Sequence, residues 1–263
     1  MAVRSTWRLR RRSRRNRHLC ARGKNRRGIP SVYGENPGAH SPRGGGMSYQ
    51  PEELLICVIA RLLEADPTVR HVAVGAASPI PGSAALLCRE ATGDRPRASI
   101  IHGETNNPFT DGAREIFDCA GQGRIDVFFL GGVQIDGQAN INLLGTIGEG
   151  GYPAVDRRFP GSFGSAYMYF VVPKVILFRP EHSRRVFVDE VDFISAPGVS
   201  APDVNRPGGP KFLVTELCLM SFNAGRARFR LESVHPTHTV EEVRDNTGFD
   251  FDVADTVLVT PEP

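Results

Sequence analysis

The chain has 263 residues, of which 40% are hydrophobic and 8% aromatic, and this is enough apolar material for one globular domain with appendages. Its net charge of +3 is unevenly distributed: residues 1–46 contain 13 Lys and Arg against one Glu, whereas residues 47–263 contain 19 basic and 28 acidic residues. No apolar run approaches the roughly 18–20 residues that a membrane span needs, so we expect no membrane partner. We do not expect nucleic acid as a partner either, because the acidic body gives a basic arm no extended surface.

The basic segment 1–46 is interpreted separately from the body of the chain. Its composition fits three interpretations: an arm that binds polyanions, a transit-like peptide, or upstream sequence translated from a wrongly assigned start. The third is favoured, because Met47 stands directly after a glycine run and opens a helical pattern. Residues 47–263 are predicted to form the folded domain.

The body begins with alternating helices and strands. PEELLICVIARLLEAD (51–66) places its leucine, isoleucine and valine residues at helical spacing, which predicts an amphipathic helix. HVAVGA (71–76) and RASII (97–101) are β-rich runs that predict short strands. A helix is expected between these two strands, from about Ser83 onward.

The alternation continues through the middle of the body. TDGAREIFDCAGQG (110–123) predicts a short helix that stops at glycine. A buried strand is predicted from Ile125 to Leu130, followed by a Gly-Gly break and a second strand. That second strand closes at Asp136-Gly137, a strong turn dipeptide.

Strands predominate in the second half. Four further strands are predicted, at 174–178, 185–194, 211–222 and 226–234. Near the end, Thr239 and Glu242 have capping-box spacing at the start of a helix, and Gly248 is expected to stop that helix. This order predicts an α/β fold with a mainly parallel sheet flanked by helices and added antiparallel strands.

Several kinds of site are not indicated. The five cysteines lack CxxC spacing and are interpreted as small buried hydrophobic residues, which indicates a reducing, cytoplasmic location. The histidines lack metal-ligand spacing, so no metal site is predicted. Neither a Walker A pattern nor GxGxxG is present, which argues against a nucleoside triphosphate or dinucleotide site.

Four glycine-containing loops follow predicted strands and are the candidate site. They are GAASPIPG (75–82), HGETNN (102–107), GGVQ (131–134) and FPGSFGSA (159–166). Open α/β sheets bind ligands beyond the carboxyl ends of their strands. If the loops converge, their backbone N–H groups suit a phosphate, a carboxylate or the oxyanion of a thioester adduct. Taken singly, a plain turn is the simpler interpretation of each loop.

Several motifs occur in the order found in one known family. They are GGVQIDGQANIN (131–142), RFPGSFGSA (158–166), PEHSRRVFVDEVDFISAPG (180–198) and HPTHTVEEVRDNTGFDFDV (235–253). Together they resemble the β subunit of family I CoA-transferases, especially the glutaconate type. The resemblance runs from about residue 50 to the end of the chain.

The resemblance implies a fold, a partner and a chemistry. The fold is the α/β type of CoA-transferase family I, which is NagB/RpiA-like, and the partner is an α subunit of related fold with the active site between the two. CoA passes from an acyl-CoA to a free carboxylate, through a β-subunit glutamate that attacks the thioester. No permanently bound cofactor is implied, since CoA and acyl-CoA are substrates.

Glu104 is the candidate catalytic residue, but it is offset. The family's glutamate lies in an ESG motif at a strand end, and here the matching strand is followed by HGET. An alignment without gaps places Gly103 on the catalytic position and Glu104 one residue beyond. The same GE order resembles the β subunit of steroid-ring CoA-thioester hydrolases, in which the working glutamate belongs to the α subunit. That second resemblance implies a setting in steroid or cholesterol catabolism.

Other site residues are carried over from the resemblance. The substrate- or CoA-binding candidates are Gly75, Gly103, Gly131, Gly132, Gln134, Gly161, Ser162 and Gly164. For Gln134, a hydrogen-bonding role at the end of the sheet is an equal alternative. Three family glycines are replaced, by Ala77, Ala139 and Phe163.

Three hypotheses follow. In the first, the chain is a CoA-transferase β subunit with Glu104 as nucleophile. In the second, it is a subunit of a hydrolase that acts on a cyclic acyl-CoA, with catalysis mainly from the α subunit and Glu104 binding or orienting water. In the third, it is a non-catalytic structural subunit.

Overall fold

A computed structural model describes residues 49–263 of the chain. The interpretations of residues 1–46 and of Met47 therefore lie outside the described residues. Within the described part, no helix combines the length and the apolar character that crossing a membrane would require.

The described residues form five helices and twelve strands. The helices are α1 (Pro51–Glu64), α2 (Pro79–Thr92), α3 (Ala113–Gly121), α4 (Ser165–Val171) and α5 (Val240–Asp245). The strands are β1 (His71–Val74), β2 (Arg97–Ile100), β3 (Val127–Leu130), β4 (Gln134–Ile135), β5 (Ile141–Asn142), β6 (Gly145–Ile147), β7 (Val155–Arg158), β8 (Lys174–Phe178), β9 (Pro210–Val214), β10 (Cys218–Asn223), β11 (Arg228–Val234) and β12 (Asp252–Val259).

Eight of the strands form one sheet in the order β12-β11-β10-β9-β8-β3-β1-β2. The run from β2 through β1, β3 and β8 to β9 is parallel, whereas β10 is antiparallel to both β9 and β11. Two small antiparallel sheets, β4-β5 and β6-β7, lie outside it. The mainly parallel α/β fold with added antiparallel strands is thus the one predicted.

The main sheet has an apolar core on each face. Along β1, Val72 and Val74 belong to the core that contains α1 and α2, whereas Ala73 belongs to the core that contains α3 and α4. Successive strand residues point to opposite faces, so one strand supplies both cores. A sheet covered on both sides explains why its parallel strands are almost continuously apolar.

The helix predicted from about Ser83 begins earlier, at Pro79. Both Pro79 and Pro81 lie in its first turn, where backbone N–H groups have no acceptor within the helix. Proline therefore costs little there, and the Pro-rich stretch that the sequence pattern assigns to a loop is the start of α2.

Two of the predicted strands are wrong. Residues 185–194 form an irregular segment with an isolated bridge at Phe187, because Val186 and Phe187 are both buried in the same core instead of on opposite faces. Residues 211–222 are two strands, β9 and β10, joined by a turn in which the amide of Thr215 donates to the carbonyl of Cys218 at 3.1 Å.

The predicted start of the last helix is present, but its stop differs. The Thr239 hydroxyl accepts the amide of Glu242 at 3.1 Å, which caps α5. The helix ends at Asp245, before Gly248. The amide of Gly248 instead donates to the carbonyl of Phe187 at 2.7 Å and so attaches this chain end to the core.

Two buried histidines join the carboxyl-terminal strands to the rest of the fold. The His182 ring contacts the hydroxyls of Thr215 at 2.8 Å and Thr247 at 2.9 Å. The His235 ring contacts the hydroxyl of Thr260 and the carbonyl of Thr215, both at 2.9 Å. Burial lowers the pKa of His182 to about 3 and that of His235 to about 4, so both rings are neutral in the fold.

These depressed pKa values predict a stability that depends on pH. Below about pH 6.5 the unfolded chain binds protons at both histidines, whereas the folded chain does not. The stability that the two neutral rings contribute is therefore fully present above that pH and is lost as the pH falls. Between pH 7 and pH 5 we expect the free energy of unfolding to drop by up to about 4 kcal/mol in urea titrations. The His182→Gln/His235→Gln double variant should lose most of that dependence, and equal stability of the wild type at the two pH values would contradict the assignment.

Candidate active site

Three of the four glycine loops leave neighbouring parallel strands at one edge of the sheet. Because β2, β1 and β3 are adjacent and parallel, their carboxyl ends lie side by side and place Gly103, Gly75 and Gly131 along this edge. At Gly131 an added Cβ would lie 2.7 Å from the carbonyl oxygen of Phe178 on β8, so the backbones approach too closely there for any side chain.

The loop after β2 turns sharply before it reaches Glu104. The amide of Gly103 donates to the carbonyl of Ile100 at 3.0 Å, and His102 within this turn has φ +64°. An added Cβ at Gly103 would lie 3.1 Å from the same carbonyl oxygen, so the position that matches the family's glutamate is already crowded by backbone. Glu104 lies beyond the turn, exposed, and makes no hydrogen bond or ion pair with another residue of the part that the structure describes.

The segment after β3 is held by a buried network of amides and a carboxylate. The Gln134 amide nitrogen donates to Asp192 at 3.0 Å, and its oxygen accepts the Asn142 amide at 2.6 Å and the Asp192 backbone amide at 3.0 Å. Asp192 also accepts the backbone amide of Ile147 at 3.0 Å. Gln134 is therefore placed to position this segment, which favours the hydrogen-bonding alternative over direct substrate contact. The sequence did not single out Asp192, although it lies in a segment that carries the resemblance.

The fourth loop follows β7 of a small sheet and reaches the others indirectly. The amide of Gly161 donates to the carbonyl of Leu143, next to β5, at 3.2 Å. Ser162 begins the turn into α4, where its carbonyl accepts the amide of Ser165 at 2.8 Å. A Cβ at Gly164 would overlap the ring of Phe117 on α3, so this glycine is required by packing between α3 and the loop. Nothing in the sequence pattern pointed to Phe117.

Three residues that replace family glycines keep a backbone conformation that glycine favours. Their φ angles are +54° at Ala77, +61° at Ala139 and +45° at Phe163. For L-residues the left-handed region costs roughly 1–2 kcal/mol, because Cβ crowds the carbonyl oxygen. Two of the three, Ala77 and Phe163, lie in candidate loops, which thus combine a strained backbone with a side chain, whereas Ala139 lies between β4 and β5.

The strain at Ala77 is testable. We expect Ala77→Gly to raise the free energy of unfolding by about 0.5–1 kcal/mol, since relief of the left-handed conformation exceeds the extra entropy of the unfolded glycine. The neighbouring Ala76, which is exposed and has no positive φ, provides the control. Ala76→Gly should leave stability unchanged or lower it, and equal effects of the two substitutions would show that Ala77 is not strained.

The Gln134 network predicts sensitivity to a buried charge. Gln134→Glu should destabilise the chain by about 2–4 kcal/mol at pH 7.5 relative to the wild type, because it places a second carboxylate against Asp192. That difference should shrink at pH 5, where a protonated Glu can donate as the amide does. Gln138→Glu, four residues along and outside the network, should change stability by less than about 0.5 kcal/mol.

Two polar grooves lie away from this edge. One, of about 1090 Å³, is lined by charges of both signs that include Arg184, Glu190 and Arg244. The other, of about 680 Å³, lies at the amino ends of β1 and β2, beside Arg70 and Arg97. None of the residues predicted from the sequence to form the site lines either groove. Within residues 49–263, no three His, Cys, Asp or Glu side chains are grouped so that they could hold a metal ion.

Comparison with known proteins gives a family and three similar proteins. Residues 44–246 match the family described as coenzyme A transferase. The chain is 37% identical over 147 residues to the B subunit of 3-oxoadipate CoA-transferase from Pseudomonas knackmussii, and this match covers 54% of this chain and 55% of the relative.

The chain is 33% identical over 145 residues to the B subunit of glutaconate CoA-transferase from Acidaminococcus fermentans, a match that covers 52% of this chain and 53% of the relative. It is 31% identical over 165 residues to the cholesterol ring-cleaving hydrolase IpdB subunit of Rhodococcus jostii, covering 57% and 59%. The chain thus spans about half the length of the curated relatives it matches.

Solved structures show the same fold over most of the chain. The match to glutaconate coenzyme A-transferase of Acidaminococcus fermentans has a TM-score of 0.68 at 21% identity, covering 82% of this chain and 91% of the other. The match to IpdAB of Rhodococcus jostii has a TM-score of 0.68 at 24% identity, covering 82% and 90%. At these identities the likeness concerns the fold alone.

Proposed function

Because this chain belongs to the coenzyme A transferase family, with matches to its B subunits, we propose that it is the β subunit of a heteromeric CoA-transferase. In this proposal it works with an α subunit of related fold and moves CoA from an acyl-CoA to a carboxylic acid. CoA and its thioesters are substrates, not resident cofactors. Cys88 and Cys218 are buried and form no disulfide within residues 49–263, which supports a reducing, cytoplasmic location.

One observation carries the proposal: the loops that follow β1, β2 and β3 begin at the same edge of the sheet, and the fourth glycine loop is joined to the segment after β3 through Gly161 and Leu143. This edge is called the strand-exit edge. Thioester attack converts the carbonyl oxygen into an oxyanion, which backbone N–H groups stabilise when they are fixed in advance. The N–H groups of Ser162 and Phe163 donate to no acceptor within residues 49–263. Phe163 at φ +45° is followed by Gly164 at φ −92°, and successive residues of opposite hand form concavities that bind anions.

Glu104 is the proposed nucleophile of the transfer. Its carboxylate oxygen attacks the thioester carbon, the carbon–sulfur bond breaks, and the CoA thiolate leaves behind an acyl anhydride. The thiolate then attacks the glutamyl carbonyl, releases the first acid and forms a glutamyl-CoA thioester. The acceptor carboxylate attacks that thioester and expels the thiolate, giving a second anhydride, and the thiolate attacks the acceptor acyl carbonyl to form the new acyl-CoA and free Glu104. An exposed carboxylate is a weak nucleophile, so this role requires the α subunit to cover Glu104 and remove its water.

A hydrolase is the second candidate, favoured by the turn before Glu104. The gap-free alignment puts Gly103 at the position of the family's glutamate, and an added Cβ there would lie 3.1 Å from the carbonyl oxygen of Ile100, which leaves little room for a side chain. The similarity to a subunit named as a cholesterol ring-cleaving hydrolase points the same way. In this alternative the α subunit supplies the main catalytic group, and Glu104 binds or orients water.

Covalent trapping distinguishes the two. The full chain, co-purified with its partner subunit, is incubated with acyl-CoA and then with hydroxylamine or borohydride. The transferase proposal expects modification at Glu104, and it expects Glu104→Gln to lower the rate of transfer to an acceptor acid at least about a thousandfold. Glu90→Gln, at an exposed carboxylate on α2, is the control and should leave the rate unchanged.

The hydrolase alternative predicts a different result. In that case CoA is released without an acceptor acid, Glu104→Gln does not affect the release, and substitution of a glutamate in the partner subunit abolishes it. If neither activity is found with any acyl-CoA, the chain is a structural subunit.

A further inference from the structure

An exposed aromatic cluster stands beside the fourth glycine loop. It consists of Phe163 in the loop, Phe117 on α3 and Tyr167 on α4. The ring centroids of Phe117 and Phe163 are 5.6 Å apart, and those of Phe117 and Tyr167 are 6.2 Å apart in an edge-to-face arrangement. Phe163 is 86% exposed and Tyr167 is 44% exposed. The cluster therefore exposes aromatic surface that a ligand could contact.

The conformation of Phe163 is unfavourable in two ways. Its φ of +45° is rare for a bulky side chain, and its ring remains in water. A phenylalanine that is 86% exposed adds little to the stability of the isolated chain, because most of its apolar surface stays in contact with water. Strained backbone of this kind is concentrated at ligand sites, which makes the ring a candidate for contact with a ligand.

Two glycines hold the cluster in place. Gly164 lets the Phe117 ring lie directly against the loop, and Gly121 leaves room for the Tyr167 hydroxyl at the end of α3. In both positions a Cβ would overlap the neighbouring aromatic side chain. The Phe117 ring thus packs against Gly164 of the loop and against Tyr167 on α4, and Phe163 packs on Phe117.

The cluster is continuous with the proposed site. Phe163 adjoins Ser162, and both amides are free to donate within residues 49–263. Gly161, in the same loop, is joined to Leu143 beside β5, which connects the loop to the segment that leaves β3. A thioester whose carbonyl oxygen meets these amides would have its flanking groups next to the Phe163 ring.

We propose that the Phe117–Phe163–Tyr167 cluster stacks against a planar ring of the CoA thioester, an inference that rests on the proposed function. Two parts of such a substrate can supply the ring: the adenine of CoA, or a ring-bearing acyl group. Aromatic side chains bind either one by offset or edge-to-face packing. If the ring belongs to the acyl group, Phe163 selects among CoA esters by the shape of that group; if it is adenine, Phe163 contributes affinity for all of them.

The experiment measures dissociation constants for the full chain co-purified with its partner subunit. The ligands are benzoyl-CoA, heptanoyl-CoA, whose acyl group has the same number of carbons without a ring, and the benzoyl ester of phosphopantetheine, which lacks adenine. The variants are Phe163→Gly and Phe163→Leu, which keeps apolar bulk without a ring. Tyr152→Leu, at a 75% exposed tyrosine outside the cluster, is the control.

The ligands that lose affinity identify which ring stacks on the cluster. If the acyl ring stacks, Phe163→Gly and Phe163→Leu weaken benzoyl-CoA and the benzoyl phosphopantetheine ester about three- to tenfold and leave heptanoyl-CoA unchanged. If adenine stacks, both CoA esters weaken and the phosphopantetheine ester does not. Unchanged affinities in the Phe163 variants, or the same losses in Tyr152→Leu, would overturn the inference. Failure of the wild-type complex to bind any CoA ester would instead overturn the proposed function.

Discussion

The parallel alignment of β2, β1, β3 and β8 is the constraint on which the candidate site depends. It brings three strand exits to one edge, and register pairs such as Val74 with Ile100 and Leu130 with Leu177 set how far each loop extends. The alignment is enforced by alternate burial on two faces, because a slip of one residue would move the apolar side chains of a strand to the wrong core. At Gly131 the adjoining backbone comes so close that a side chain is excluded as well. Packing in the two cores therefore determines where backbone N–H groups are presented.

Backbone shape and side-chain identity are separable in these loops. Ala77, Ala139 and Phe163 take left-handed conformations that a glycine would take at no cost, although Ala77 and Phe163 are exposed and only Ala139 of the three is buried. The Gln134–Asn142–Asp192 network is a separate restraint, which joins the exit of β3 to the irregular segment near residue 192. In loops of this kind a side chain such as that of Phe163 can add surface for a ligand while the backbone keeps a shape that glycine favours.

The sequence predicted the sheet and the edge better than the details of the site. The apolar runs of β1, β2 and β3 are short, buried and followed by glycine within a few residues, so the pattern locates their exits. The segment 185–194 has the alternation of a strand, yet its Asp192 is bound to Gln134 and to the amide of Ile147, contacts that join residues distant in sequence. The left-handed turn at His102, which separates Glu104 from the matching position, and the approach of Phe117 to Gly164 are likewise decided by tertiary contacts. Local pattern carries no signal for either.

Hydrogen–deuterium exchange of the complex with its partner subunit, with and without acyl-CoA, shows whether the strand-exit edge holds the thioester. We expect slower exchange on ligand addition in segments 75–82, 102–107, 131–134 and 159–166, with little change elsewhere in this chain. Protection confined to the groove beside Arg70 and Arg97, or to the groove beside Arg184 and Arg244, would contradict it.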